Sequence, residues 1–201
     1  MVKIAITGGL ACGKSTVGEY LSEAGAVVCD ADNLAHELMT SGKRVFEEIV
    51  GFFGKDILGV DGEIDRQRLG QRVFSNPREL NVLNSIVHPE VKKGWIKWLE
   101  CSLRTGCRAA AVIVPLLYES GEDKGWDAVV CVYASEALQV QRLAKRGLSL
   151  DDIKRRIAAQ MSVSEKVKLA DYVIMNDGTK DLLRQQAGII LENVRENEKW
   201  E

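Results

Sequence analysis

Short unbroken apolar runs alternate along this chain with stretches in which apolar residues recur every three or four positions. The first pattern predicts strands covered on both faces, the second amphipathic helices. Val2–Thr7 is the first predicted strand, followed by a helix from Lys14 to about Ala24 that Gly25 closes. Ala26–Cys29 is a second strand running out at Asp30. Ala109–Val114, apolar throughout, reads as a central third strand, and Ala128–Tyr133 as a fourth. Tyr172–Met175 is a short fifth, ended by the turn signal Asn176-Asp177-Gly178. Helices are predicted over Glu136–Arg146, Leu150–Met161 and Lys180–Glu196. Strands alternating with helices predict an α/β fold with a mainly parallel sheet.

The stretch from Leu34 to Gly106 breaks the alternation. It holds helical patterns and no convincing strand. Asp65 is placed to cap a helix through Val73, and Pro77 to open another as a first-turn proline. Pro89 is read as opening a third, which carries Trp95 and Trp98. A helical insertion between the second and third strands follows from this, either holding a second substrate or serving only as packing.

Composition narrows the class without naming a reaction. The 201 residues are 46% hydrophobic and 28% charged, which suits a globular protein, and the net charge of −2 argues against a nucleic-acid-binding surface. Five irregularly spaced cysteines do not form a disulfide framework, and no C-x-x-C pair suggests zinc. Free thiols in a reducing cytoplasm are the expectation. The first strand begins at about Val2, which leaves no room for a leader peptide. The longest apolar run, Ala109 to Tyr118, is too short to span a membrane and contains Pro115. Neither a membrane nor a nucleic-acid partner is expected.

The chemistry begins where the first strand ends. Gly8-Gly9-Leu10-Ala11-Cys12-Gly13-Lys14-Ser15 has the G-x-x-x-x-G-K-[ST] spacing of a phosphate-binding P-loop between a strand and a helix, the context that motif needs. Glycines allow a tight turn that aims several amides at one point, and the helix adds its positive end. Lys14 can reach the β- and γ-phosphates, and the Ser15 hydroxyl can hold Mg²⁺. A nucleoside triphosphate is the predicted ligand; a glycine-rich turn that binds nothing is the alternative.

Asp30-Ala31-Asp32 lies at the carboxyl end of the second strand, the sheet edge at which α/β proteins bind ligands. Carboxylates beside a phosphate loop repel phosphate unless Mg²⁺ or a transferable proton lies between. Asp32 can orient and deprotonate a hydroxyl, or hold metal-bound water; either aspartate can instead cap the next helix. The third strand runs out through Val114-Pro115-Leu116-Leu117-Tyr118-Glu119, so the acidic residue usual at a central strand end is missing and Glu119 is the nearest acid. Gln139, Arg142 and Arg146 share one helix face, with Lys145 and Arg155-Arg156 near in sequence. They read either as an arginine-bearing lid over phosphates or as a solvated face. His88 is a helix-entry residue or an acceptor contact. Cys12, near a helix N-terminus where thiol pKa values fall, is an oxidisable thiol or a small filler.

Taken together these residues resemble the dephospho-coenzyme A kinase family. The likeness runs nearly end to end: Ile6-Thr7-Gly8-Gly9 into Gly13-Lys14-Ser15-Thr16, Asp30-Ala31-Asp32 with Ala35-His36, Leu83-Asn84, His88-Pro89, the Pro115–Glu119 run, Gln141-Arg142-Leu143 with Arg146, Gln160, and Ala170–Ile174 with Asn176 and Gly178. The resemblance implies transfer of the ATP γ-phosphoryl group to the ribose 3′-hydroxyl of dephospho-CoA. It implies a P-loop fold of the nucleoside-monophosphate-kinase type, a parallel five-stranded sheet flanked by helices, with a helical insert and a lid. The expected parts are a core over 1–33, 107–146 and 163–201, a CoA-binding insert over 34–106 and a lid over 147–162. The nucleotide is assigned to Gly8, Gly9, Ala11, Cys12, Gly13, Lys14, Ser15, Thr16 and Arg146, and the acceptor to Thr7, Asp32, His88, Pro115 and Leu116. Catalysis is assigned to Lys14, Asp32 and Arg142, and Mg²⁺ to Ser15 and, through water, Asp32. A monomer or weak homo-oligomer is expected. Ala11-Cys12 replaces the family's usual Gly-Ser, and Tyr118 stands where Phe is common. Nucleoside monophosphate and shikimate kinases share the loop and lid; a GTPase switch would need an Asn-Lys-x-Asp element, which is absent from the sequence.

Overall fold

A computed structural model describes residues 1–197. Its sheet comprises β1 (Val2–Gly8), β2 (Val27–Asp30), β3 (Ala109–Ile113), β4 (Ala128–Tyr133) and β5 (Tyr172–Met175), all parallel and in the order β2-β3-β1-β4-β5. The central position belongs to β1; β3 lies beside it, paired on both edges. Every residue of β3 is buried, which explains why its sequence shows no alternation.

One face of the sheet carries α1 (Lys14–Glu23) and α9 (Lys180–Asn197). Val17 and Leu21 of the first helix and Leu183, Ala187 and Leu191 of the last pack in one cluster with Ile4, Ala111, Val130 and Ile174 from the strands. The tail of α9 is tied to the end of α1: Arg195 donates from Nη2 to the Gly25 carbonyl at 2.9 Å. Gly18 lets α1 lie close to the sheet, since a Cβ there would come within 2.9 Å of Ile113 Cδ1.

The chain divides into two compact units, residues 1–30 with 98–197, and residues 31–97. The smaller unit holds α2 (Ala31–Leu38), α3 (Arg44–Phe53), a short 3-10 turn (Lys55–Ile57), α4 (Arg66–Phe74) and the larger part of α5 (Pro77–Arg104). Val45, Phe46, Ile49, Phe53, Ile57, Leu69 and Val73 are among its buried apolar residues. Asp65 caps α4 by accepting from the Gln67 and Arg68 amides. Arg72 clasps Glu79 with two hydrogen bonds, gives a third to the Phe53 carbonyl and lies over the Phe53 ring.

Two expected helix boundaries need correction. Pro89 opens nothing, because α5 is one 28-residue helix that runs through it, and His88 therefore sits inside a helix instead of at its entry. The buried residues Val87, Val91, Trp95 and Leu99 recur every four positions across the proline, so an unbroken stripe holds the helix together. The segment expected as one helix to Met161 ends sooner: α6 (Glu136–Lys145) and α7 (Leu150–Ala158) are followed by a separate α8 (Val163–Leu169). The new helix starts at a reciprocal capping box between Ser162 and Glu165. Among the described residues no helix is long and apolar enough to cross a membrane.

Candidate active site

The phosphate loop leaves the central strand at the carboxyl edge, where β1 is flanked by β3 on one side and β4 on the other. The chain passes from one side of β1 to the other here, the switch point at which open sheets bind ligands. Gly8 has φ +146°, and a Cβ on it would meet the Val132 carbonyl oxygen at 2.2 Å. Gly13 has φ +94° and lies so close to Asn176 that a Cβ would reach its Nδ2 at 2.2 Å. Only glycine fits either place. Between them Ala11 holds φ +55°, a left-handed conformation that costs an alanine about 1 kcal/mol.

The loop is strapped from behind. Arg142 on α6 donates from Nη1 to the Ala11 carbonyl at 3.1 Å and from Nη2 to the Asn176 carbonyl at 2.9 Å. Asn176 Nδ2 donates to the Cys12 carbonyl at 2.7 Å. Buried Gln139, one turn before Arg142, donates to the Ala134 carbonyl, and its Oε1 closes against Gly9. The Ala11, Cys12 and Asn176 carbonyls are thus all engaged by side-chain donors. Gly13 is the N-cap of α1 without a side-chain cap, and no acidic residue occupies the first turn, so the helix keeps its positive end. Lys14 Nζ is held over the loop by the Gly8 and Gly9 carbonyls, at 3.2 and 2.9 Å. Ser15 is exposed and Thr16 half-buried in the same turn.

The other predicted residues fall as follows. Thr7 is fully buried and gives its hydroxyl to the Pro115 carbonyl at 3.3 Å, so it braces the strand end. Pro115 and Leu116 are half-buried just past β3. Arg142 serves the loop from α6, outside the expected lid segment, and Arg146 is exposed at the C-cap of that helix. Asp30 ends β2 beside Ile113; Asp32 is exposed in the first turn of α2, within the smaller unit, as is half-buried His88. The Cys12 thiol is pushed up by burial, more than Lys14 and Arg142 draw it down, which makes it a filler under the loop and corrects the expected fall.

Sequence reasoning missed two groups. Asn176 reads as a turn residue and as part of the family likeness, with no role given to it. Lys166 is fully buried, with Nζ 2.6 Å from the Pro115 carbonyl and 2.8 Å from Glu119 Oε1. The S-x-x-E spacing of Ser162 and Glu165 was the available signal for the helix that carries it.

A family model, dephospho-CoA kinase, matches residues 2–181. The chain belongs to the dephospho-CoA kinase family. A dephospho-CoA kinase from Carboxydothermus hydrogenoformans is 43% identical over 190 residues, covering 94% of this chain and 92% of its own. Among solved structures, TT1252 from Thermus thermophilus superposes with a TM-score of 0.75 at 32% identity, over 95% of this chain and 97% of that one. A dephospho-CoA kinase from Campylobacter jejuni gives a TM-score of 0.69 at 29% identity, over 98% of both.

Proposed function

We infer that the strapped loop, Lys14 and Asp32 carry the reaction of a dephospho-CoA kinase. The chain transfers the γ-phosphoryl group of ATP to the ribose 3′-hydroxyl of dephospho-CoA, giving CoA and ADP, the last step of coenzyme A synthesis. The observation that carries this is a phosphate loop held rigid at the end of the central strand in a chain that matches the family over residues 2–181.

The loop amides and the start of α1 receive the β- and γ-phosphates, and Lys14 lies over them as a point charge. Arg142 works through the loop, holding it in the phosphate-ready form while its charge stays close. Asp32 accepts or orients the 3′-hydroxyl proton as oxygen attacks the γ-phosphorus. Thr7 acts on the acceptor side through Pro115, and His88, Pro115 and Leu116 contact the acceptor. Gly8, Gly9, Ala11, Cys12, Gly13, Ser15 and Thr16 contact the nucleotide mainly through backbone, with Arg146 at the rim.

Mg²⁺ fits this donor set. Among the described residues no group of three His, Cys, Asp or Glu side chains is placed to cage a metal, whereas Mg²⁺ keeps its waters and needs only one or two protein oxygens beside substrate phosphates. Ser15 would hold it, with Asp32 reaching it through water. When bound, the ion neutralises charge shared by the β- and γ-oxygens. The five free thiols suit a reducing cytoplasm, where we place the enzyme, acting as a monomer or weak homo-oligomer.

The test is product analysis. Dephospho-CoA with Mg-ATP yields a product one phosphoryl group heavier, modified at the 3′ position, by mass spectrometry. Asp32→Asn retains ATP binding and loses turnover by about 100-fold or more. Near-normal turnover in that variant rejects the role given to Asp32.

A further inference from the structure

We propose that Lys166 is a positioning residue for the acceptor, fixing the Pro115-Leu116 segment from the far side; this rests on the assignment of that segment to dephospho-CoA.

A lysine with no exposed surface is costly unless its charge is paired and its ammonium hydrogen-bonded. Here both conditions are met. Nζ donates to the Pro115 carbonyl at 2.6 Å and pairs with Glu119 Oε1 at 2.8 Å. The same Glu119 oxygen accepts the Met161 amide at 2.9 Å, and the same Pro115 carbonyl accepts the Thr7 hydroxyl at 3.3 Å. One cation thus joins four places: the end of β1, the exit from β3, the far end of that exit at Glu119, and the chain just before α8. Both ends of the Pro115–Glu119 run are gripped by one side chain.

The consequence follows from proline chemistry. Pro115 has no amide hydrogen with which to hold itself to the sheet edge. Its carbonyl is its only strong backbone handle, and both of that handle's donors come from other elements. Lys166 supplies the shorter, charged bond. Without it the Pro115 carbonyl keeps only the Thr7 hydroxyl, and the Pro115 ring and Leu116 side chain lose a fixed aim. The phosphate loop has separate anchors in Arg142 and Asn176. Loss of Lys166 therefore acts on acceptor binding and alignment far more than on ATP.

The variants are Lys166→Met, which keeps the stem and removes the donors, and Glu119→Gln, which keeps an acceptor for Met161 and removes the charge. Steady-state kinetics are run with each substrate varied, ATP affinity is measured by titration, and unfolding temperature is recorded. Wild-type turnover of dephospho-CoA is the control that tests the underlying assignment by itself. The expected result for Lys166→Met is a KM for dephospho-CoA raised about tenfold or more with a fall in kcat, and ATP affinity within about twofold of wild type. Glu119→Gln shifts the same constant in the same direction by a smaller factor. An unchanged KM for dephospho-CoA, or equal losses for both substrates, overturns the proposal. If Lys166→Met does not fold, an unchanged acceptor KM in Glu119→Gln overturns it alone.

Discussion

Tyr118 shows how one atom can set the cost of a position. Its hydroxyl is buried with no hydrogen-bond partner, and its pKa is pushed up to about 12 by burial, with further repulsion from Cys131, Asp171 and Asp123. A phenol without a partner loses its hydration and gains nothing in return. Tyr118→Phe keeps the ring and removes the orphan, so the variant is expected to be more stable by about 1 kcal/mol in urea unfolding. A loss of stability would show that the hydroxyl has a partner in solution. Residue-level reading of the sequence succeeded where a chemical type has a narrow range of uses: the glycines around Lys14 fit a loop in which Cβ atoms are excluded. It failed where a residue type has a commonplace role. Lys166 sits in Ser-Glu-Lys-Val-Lys-Leu, a stretch that resembles any solvated helix, and its partner Glu119 is 47 positions away. Only the fold brings the two together.

At the scale of elements, strands were legible because continuous burial leaves continuous apolar text; β4 and β5 lie where the pattern put them. Helix ends were less legible where two local rules conflict. A proline suits the first turn of a helix and so suggests a helix start, yet the apolar stripe from Val87 to Leu99 continues through Pro89 and tertiary burial decides. The ring still removes one amide from the ladder and crowds the carbonyl of Ser85, four residues back. Since Pro89 is itself exposed, its replacement disturbs no core. Pro89→Ala is expected to raise stability by about 1–3 kcal/mol, the interior-helix difference less the freedom the unfolded chain regains. Urea midpoints with unchanged slope check it; a destabilised variant would mean that the proline shapes α5 for packing. The geometry of the phosphate loop was legible for a related reason. Loop, strand end and helix start are contiguous, so their chemistry is written in one short run, whereas the straps from Arg142 and Asn176 cross 131 and 164 positions.

For the whole molecule, the buried thiols link stability to alkaline pH. Cys131 lies in the central layer of the sheet, and burial raises its pKa from 9.0 to about 12, with Cys12 adding repulsion. Tyr118, close enough to share that repulsion, is raised in the same direction. A folded state that keeps the proton longer than the unfolded chain is favoured fully below the unfolded pKa. Above it the unfolded chain ionises and gains ground with each unit of pH, until the folded group ionises too. For Cys131 that window runs from about pH 9 toward about 12, at close to 1.4 kcal/mol per unit. By about pH 10.5 the thiol alone accounts for a loss of about 2 kcal/mol relative to neutral solution. Cys131→Val fills much the same volume and cannot ionise. Urea unfolding of both proteins from pH 7 to about 10.5 is therefore expected to give parallel stabilities at the neutral end and a difference that opens in favour of the variant above pH 9. Curves that remain parallel throughout would mean that the thiol meets water in the native state, and that the layer beneath the phosphate loop is wetter than its packing implies.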